Sequence, residues 1–260
     1  MSNRDDIKDE RLIYTCNCGW IDLDHMEDSA KYEFVGAKNL WKQIRGGDLP
    51  PGVDPRRLYD RPGPGCFPYV DPRERCARFH DGDPGYKVTY RQGMSHKRIK
   101  PVRAGIERSY LVRYGLTPQE KRVVALAIFM EVSVMFEGFQ GSFPWRVATN
   151  SGFSQEDLVS NLLSFYIAVD GYDLDQVETI CKKVSTEVAL AIWDREGSVE
   201  ENKNPTFEPA FAKEPGAECT DSEQIFPKAF TKIRPAIKGG NFIDFPSLLS
   251  VPGSWSIWRD

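Results

Sequence analysis

Polar side chains that can do chemistry interrupt segments of this sequence that are otherwise apolar. Glu131 and Glu137 lie in or beside the apolar stretch 123–136, and His25 follows a predicted strand, three residues after Asp22. Burying polar groups at core positions costs free energy unless they are hydrogen-bonded, so such groups either have partners or take part in binding or catalysis. The pattern therefore predicts a buried polar site, to which one face of the next predicted helix contributes Asp157, Ser160, Asn161 and Ser164.

Glu137 is the candidate general acid and base. Its helical neighbours are mostly apolar, with Ser133 and Gln140 as the polar ones. Burial raises the pKa of a carboxyl, and a carboxyl that titrates near neutrality can donate and accept protons. A carboxylate near a helix C-terminus is also disfavoured by the helix dipole, which argues against a Glu137 that has no function. The alternative, for Glu137 as for Glu131, is a structural glutamate held by an arginine or a backbone donor.

His25 is the second candidate catalytic residue, with Asp22 as the carboxylate that orients its ring. The alternative is a structural histidine bonded to a neighbour. For the helix face the alternative is a solvent-facing edge, and Asp157 also fits a local role in a capping box that Ser154 begins. The candidate substrate-binding residues are Asp157, Ser160, Asn161, Gln140 and Glu131.

Known catalytic and cysteine motifs narrow the choice of chemistry. The sequence has no Gly-x-Ser-x-Gly, His-Glu-x-x-His, phosphate-binding-loop or Gly-x-Gly-x-x-Gly motif. Cys16-Asn-Cys18 is one residue shorter than the usual zinc spacing. Because the chain is long and has no secretion signal, its six cysteines are predicted to be mostly free thiols: Cys16, Cys18, Cys66, Cys76, Cys181 and Cys219.

Composition and charge restrict the partners. A net charge of −4 and a pI near 5.6 give no global case for nucleic-acid binding. The basic segment between Arg91 and Arg108 is expected to be a solvated surface or a site for an anionic partner. No apolar run free of charge approaches the ~18 residues of a membrane span, and the charged N-terminus is unlike a signal peptide. The expected location is the cytoplasm, or outside it by a secretion machine that needs no cleavable signal. The expected partner is a small-molecule or polymeric substrate.

The hydrophobic pattern predicts a mainly α (α+β) fold with a central buried helix, about three helices packed around it and a few short strands. The central helix begins at the capping box Thr117-Pro-Gln-Glu120 and ends near Gly138 or Gly141. Residues 101–113 are ambiguous, with a short helix as one interpretation. The remaining predicted elements are strands at Leu12–Ile21 and Tyr86–Gln92 and helices at about 30–46, 158–169 and 173–193. The last of these helices is opened by Asp173-Leu-Asp-Gln176.

The domain organisation is predicted to be simple. Residues 1–10 form a flexible charged tail, and residues 11–260 form a single globular domain. Proline- and glycine-rich segments at 48–84 and 197–246 are long loops that wrap this domain. Aromatic residues such as Phe79 and Phe230 are expected to pin the loops to the core.

Two of these segments resemble an uncharacterised bacterial domain family. The run Ile13-Tyr-Thr-Cys-Asn-Cys-Gly-Trp-Ile-Asp-Leu-Asp-His25 is similar to its Tyr-Thr, Gly-aromatic-Ile-Asp and His signature, and Glu137 with Gln140 matches its Glu-x-x-Gln helix. Residues 151–161 match its Ser-x-Phe-Ser-x-Glu-Asp-Leu and Ser-Asn segment. The resemblance covers about 11–45 and 115–170. It implies that these segments form one unit and names no reaction. Some members resemble exported lipoproteins, which implies a role in the cell envelope.

Three functional hypotheses follow. The first is a hydrolase of a glycosidic or amide bond, acting on the bacterial cell wall, with Glu137 and His25 as acid and base. The second is a metal-dependent enzyme in which His25, Glu137 and Asp157 hold one zinc, iron or manganese ion. The third is a partner-binding protein without catalysis, in which the polar residues form a structural network. The cofactor is therefore either none or one divalent metal ion.

Overall fold

The computed structural model describes residues 2–26, 36–47, 79–95, 102–141, 152–245 and 255–259. They form a mainly helical α+β fold with a buried helix, as predicted. The chain divides into two compact units: unit 1 comprises Met1–Lys38 and Ser133–Lys232, and unit 2 comprises Asn39–Val132 and Ile233–Asp260. A single globular domain over 11–260 stays a prediction.

The helices and strands are numbered in chain order. The helices are α1 (Arg4–Lys8), α2 (Ala37–Gly46), α3 (Pro118–Gln140), α4 (Asp157–Asp170), α5 (Leu174–Cys181) and α6 (Thr186–Glu196). The strands are β1 (Leu12–Thr15), β2 (Gly19–Asp22), β3 (Gly85–Ser95), β4 (Val102–Arg113), β5 (Phe242–Asp244) and β6 (Trp255–Arg259).

Unit 1 contains a short hairpin where the sequence predicted one strand. β1 and β2 pair antiparallel, from Leu12 opposite Asp22 to Thr15 opposite Gly19. Gly19 has φ +66°, a conformation that favours glycine, so the chain reverses here instead of continuing as one strand. The hairpin is tied to the end of α5 by backbone hydrogen bonds, such as Val184 N–H to the Tyr14 carbonyl at 3.1 Å.

The cysteine prediction is wrong for four residues. Cys16 is bonded to Cys219, and Cys18 is bonded to Cys181. Both disulfides leave the turn of the β1–β2 hairpin, because the two cysteines flank Asn17. Cys66 and Cys76 lie outside the described residues.

The helix predicted over 173–193 is two helices. Asp173 and Gln176 form a capping box at the start of α5, as the sequence indicated. Lys182 then adopts φ +58°, which ends the helix, and Ser185 caps α6 with its side chain. The break places Cys181 and the following residues beside the hairpin.

The central helix α3 confirms the predicted capping box. The Glu120 carboxylate accepts the Thr117 N–H at 2.8 Å, and the Thr117 hydroxyl accepts the Glu120 N–H at 3.2 Å. Most of its apolar residues are buried, as the sequence predicted. Among the described residues, α3 is the one helix with the length and apolar composition of a membrane span, and 67% of its most apolar stretch is buried within the structure, as in a core helix.

Unit 2 is built on a long antiparallel hairpin. β3 and β4 pair from Gly85 opposite Arg113 to Ser95 opposite Arg103, and β4 also pairs with β5 and β6. Residues 102–113 are therefore a strand, not a short helix. The alternation of Ile106, Arg108 and Tyr110 with small or polar residues is the strand signal in this segment.

The predicted tail and loops are partly ordered. Residues 4–8 form α1, opened by a capping box between Asn3 and Asp6, and Ile7 is buried. Most of the segment 48–84 lies outside the described residues. Where it is described, Phe79 is buried, as are Phe230, Phe242 and Phe245 of the second long segment, in agreement with their predicted packing.

Candidate functional site

Four carboxyl groups and one histidine lie together in unit 1. We call Asp22, Glu137, Glu156 and Asp157 the carboxyl cluster, and each is at most 5% exposed. His25 lies at its outer side, with 42% of its side chain exposed. A carboxylate placed in such surroundings loses much of its hydration, so the hydrogen bonds and charges of the cluster decide which members hold protons.

Glu137 is held at the end of α3 by neighbours from the next segment of chain. Its Oε2 accepts the Phe153 N–H at 3.2 Å, and its Oε1 accepts the Asn161 side-chain N–H at 3.4 Å. Its carboxyl also hydrogen-bonds the carboxyl of Asp157. Asp157 begins α4, where its Oδ2 accepts the Ser154 N–H at 2.7 Å. The local helix cap therefore positions Asp157 beside Glu137.

The pKa values of Glu137 and Asp157 are both raised. Burial raises the pKa of Glu137 to about 7, with the hydrogen bonds from Asp157 and Phe153 opposing the rise. Burial, followed by the charges of Glu137 and Glu156, raises the pKa of Asp157 well above its ordinary value. Two carboxyl groups in contact cannot readily both ionise, so the titrations of Glu137 and Asp157 are linked.

His25 connects this pair to solvent. Its Nδ1 lies 3.6 Å from Oδ1 of Asp157. Burial of the ring lowers the pKa of His25, but the negative charges of Asp22, Asp157 and Glu156 together raise it above its ordinary value. The ring is therefore a proton carrier at physiological pH, with a carboxylate on its inner side.

Asp22 binds the backbone around His25, and its negative charge is also the first that raises the pKa of the ring, so its predicted role of orienting the ring stays a prediction. Its Oδ1 accepts the N–H groups of Asp24 and His25, at 2.9 and 3.3 Å. Its Oδ2 accepts the Ser2 hydroxyl at 3.3 Å. Asp157 has an oxygen 3.6 Å from the imidazole Nδ1, and the charge of Asp22 acts on the same ring.

Of the other predicted site residues, some contact the carboxyl cluster and others lie away from it. Ser160 accepts the Asp22 N–H at 2.9 Å with its hydroxyl and so joins the hairpin to α4. Asn161 contacts Glu137, whereas Ser164 donates to the carbonyl of Asn161. Gln140 is half-buried at the end of α3. Glu131 belongs to unit 2, where its carboxylate pairs with Lys238 at 2.7 Å.

Glu156 is the member of the cluster that the sequence analysis missed. It precedes α4, where a glutamate usually faces solvent, but it is 2% exposed and its side chain makes no cap hydrogen bond. Burial raises its pKa, with the charge of His25 and a hydrogen bond from Ser2 opposing the rise. Its neighbours Gln155 and Asp157 are both polar, so nothing in the sequence distinguishes its face as buried.

A metal site does not emerge from the described part of the chain. There, no three His, Cys, Asp or Glu side chains are placed to hold a metal ion together. His25 Nδ1 lies 3.6 Å from Asp157 Oδ1, and the Asp157 carboxyl hydrogen-bonds the carboxyl of Glu137, so two of the three predicted ligands are engaged with each other.

The arrangement is suited to moving a proton. A half-exposed imidazole can exchange a proton with water or substrate, and a carboxyl pair behind it can adjust its own charge. Comparison of the chain with protein-family models, curated proteins and solved structures finds no match. The resemblance in two segments therefore stays a prediction, and the geometry of the site is what indicates function.

Proposed function

We propose that the chain is a hydrolase of an amide or glycosidic bond, in which His25 is the general acid and base. Asp157 orients the imidazole, and Glu137 adjusts the charge of Asp157 through their shared proton. The observation that supports this most is the continuous line from the exposed His25 ring through Asp157 to the buried Glu137. It retains His25 as acid and base from the first hypothesis, gives Asp157 the orienting role predicted for Asp22, and lets Glu137 act through Asp157 instead of as the general acid and base.

The proposed reaction begins with a water molecule beside the histidine. With the shared proton on Glu137, the Asp157 carboxylate favours the tautomer with the proton on Nδ1, which leaves Nε2 to accept a proton from water. For an amide, the water oxygen bonds to the carbonyl carbon, and Nε2 then returns the proton to the leaving nitrogen as the old bond breaks, so His25 ends in its starting state. For a glycoside, water attacks the anomeric carbon opposite the leaving oxygen, so His25 would serve one of the two sides and a second acid the other.

We also propose that the protein works in an oxidising compartment. Disulfides persist in secreted and periplasmic surroundings and are rare in the cytosol. The pairs Cys16–Cys219 and Cys18–Cys181 support such a location over the cytoplasm. They agree with the cell-envelope setting implied by the resemblance, and peptidoglycan is accordingly the first polymer to test.

We expect His25→Ala to lower hydrolysis by about 100-fold or more, since general acid–base catalysis typically contributes that much. The assay incubates purified peptidoglycan with the oxidised protein and measures new amino groups and new reducing ends separately. Amines indicate amide cleavage, and reducing ends indicate glycosidic cleavage.

His80→Ala is the matched control, because His80 is an exposed histidine of unit 2. It should keep the wild-type rate. Equal rates in the wild type and His25→Ala, with both proteins folded, would contradict the proposal.

The partner-binding hypothesis stays as the second candidate because Glu137 is hydrogen-bonded on both oxygens and is only 1% exposed. A fully satisfied network of this kind stabilises a fold without doing chemistry. The two hypotheses differ in what they predict for Glu137→Gln, as argued in the Discussion.

A further inference from the structure

One carboxyl oxygen of Glu156 is buried without a hydrogen-bond partner among the described residues. This oxygen is Oε2, and the side chain is 2% exposed. The side chain faces the cluster, where it interacts with His25, Asp22 and the Ser2 hydroxyl. Leaving a buried acceptor without a partner destabilises a fold, and each such group in a native structure needs an explanation.

The surrounding charge is unbalanced. Four carboxyl groups meet here, and His25 is the one basic side chain within 4.0 Å of any of them in the described part of the chain. Arg11, whose charge also acts on Asp22, forms its ion pairs with Asp6 and Asp24. A positive group beside the cluster would stabilise those of its members that are ionised.

We propose that the carboxyl cluster binds the ammonium group of a substrate, with Glu156 Oε2 as a direct acceptor. The inference deepens the proposed function and rests on it in one respect: the ammonium group would lie beside the bond that is hydrolysed at His25. The substrate class is then an amine-bearing compound, such as a peptide with a free amino group.

An ammonium group fits the geometry better than a metal ion. A metal needs several ligands around one point, and the described residues offer no such set. An ammonium group has three N–H donors that reach separate acceptors. Glu156 supplies one acceptor, and the nearby carboxylates add charge.

The test uses n-butylammonium as the probe, with butyramide as its neutral and butyrate as its anionic counterpart. The ring C–H signals of His25, assigned by their loss in His25→Ala, report binding by NMR. We expect a saturable shift with butylammonium alone. Glu156→Gln should weaken its binding about tenfold or more, the usual effect of losing a hydrogen bond to a charged group.

Glu187→Gln is the matched control, because Glu187 is an exposed glutamate of the same unit, and it should bind the probe like the wild type. Glu156→Asp, which retains the charge, keeps the test valid if Glu156→Gln folds poorly. Equal responses to butyramide, or unchanged affinity in a folded Glu156→Gln, would overturn the inference. So would a response to Mg²⁺ or Ca²⁺ without one to butylammonium.

The outcome is separable from that of the hydrolysis assay. Hydrolysis that requires His25, with no response to butylammonium, would overturn the ammonium site alone. A response that requires Glu156, without hydrolysis of any polymer, would retain the ammonium site and contradict the hydrolase.

Discussion

Removal of both disulfides should destabilise unit 1 by more than the sum of the two single removals. The pairs Cys16–Cys219 and Cys18–Cys181 span 203 and 163 residues of sequence. A disulfide stabilises mainly by restricting the unfolded chain, typically by about 2–4 kcal/mol, and more for longer loops. Total stabilities of domains are about 5–15 kcal/mol, so this is the largest effect we expect.

The loss of stability on removing both disulfides exceeds the sum of the two single losses because the disulfides begin at nearly the same point of the chain. Cys16 and Cys18 are neighbours in one turn, so either disulfide alone closes almost the whole long loop. With one in place, the second closes only a loop of roughly 40 residues, which is a smaller restriction. Each single removal, Cys16→Ser with Cys219→Ser or Cys18→Ser with Cys181→Ser, should therefore leave a folded protein with a lowered Tm.

Thermal and denaturant unfolding of the two double variants and the fourfold variant measures these effects. Addition of dithiothreitol to the wild type should reproduce the fourfold variant, and addition to that variant should change nothing, which is the control. Equal unfolding of reduced and oxidised wild type would contradict the assigned pairing.

Glu137→Gln should make the protein more stable than the wild type at pH 8, by up to about 3 kcal/mol. The pKa of Glu137 is about 7 in the folded chain, against an ordinary value of 4.5. Each pKa unit corresponds to about 1.4 kcal/mol. Glutamine keeps the shape and removes the buried charge. Its carbonyl oxygen still accepts one N–H and its NH2 group can donate to Asp157, but one of the two N–H groups that the Glu137 carboxylate accepts loses its acceptor.

The sign of the pH dependence follows from linkage. A group whose pKa is raised by folding binds its proton more tightly in the folded state. Its stabilisation is fully present below pH 4.5 and is lost as the pH rises through about 7. The raised pKa of His25 acts in the same direction. The wild type and Glu137→Gln should therefore agree near pH 4.5 and diverge towards pH 8.

Urea unfolding at a series of pH values measures the difference. Glu187→Gln, at an exposed glutamate of the same unit, should follow the wild type at every pH. A Glu137→Gln protein that is less stable than the wild type at pH 8 would contradict the account, because it would mean that the ionised carboxylate is needed by a structural network.

The helical part of the fold was predictable because its signals are local. The capping boxes at Thr117 and Asp173 fixed the starts of α3 and α5, and both agree with the structure. The break at Lys182 was not predictable, since a positive φ at lysine has no sequence signature. The hairpin was missed because Gly19 is a single turn signal within residues of high strand propensity.

Part of the site was predictable from polar residues at core positions. His25, Glu137 and Asp157 were chosen in this way, and the structure brings them together. Glu156 could not be chosen, because a glutamate before a helix is ordinarily exposed. The disulfides could not be paired from the sequence either, since six cysteines allow many combinations and their proximity depends on the tertiary fold.

The most direct test of the central claim is an NMR titration of the His25 ring in the wild type and in Asp157→Asn. We predict a pKa above 6.5 in the wild type, because carboxylates surround the ring, and a lower pKa in Asp157→Asn. Asp175→Asn, at an exposed aspartate of the same unit, should leave the wild-type value unchanged. The same His25 pKa in the wild type and Asp157→Asn would contradict the claim that the imidazole and the buried carboxyl pair form one proton-transfer unit.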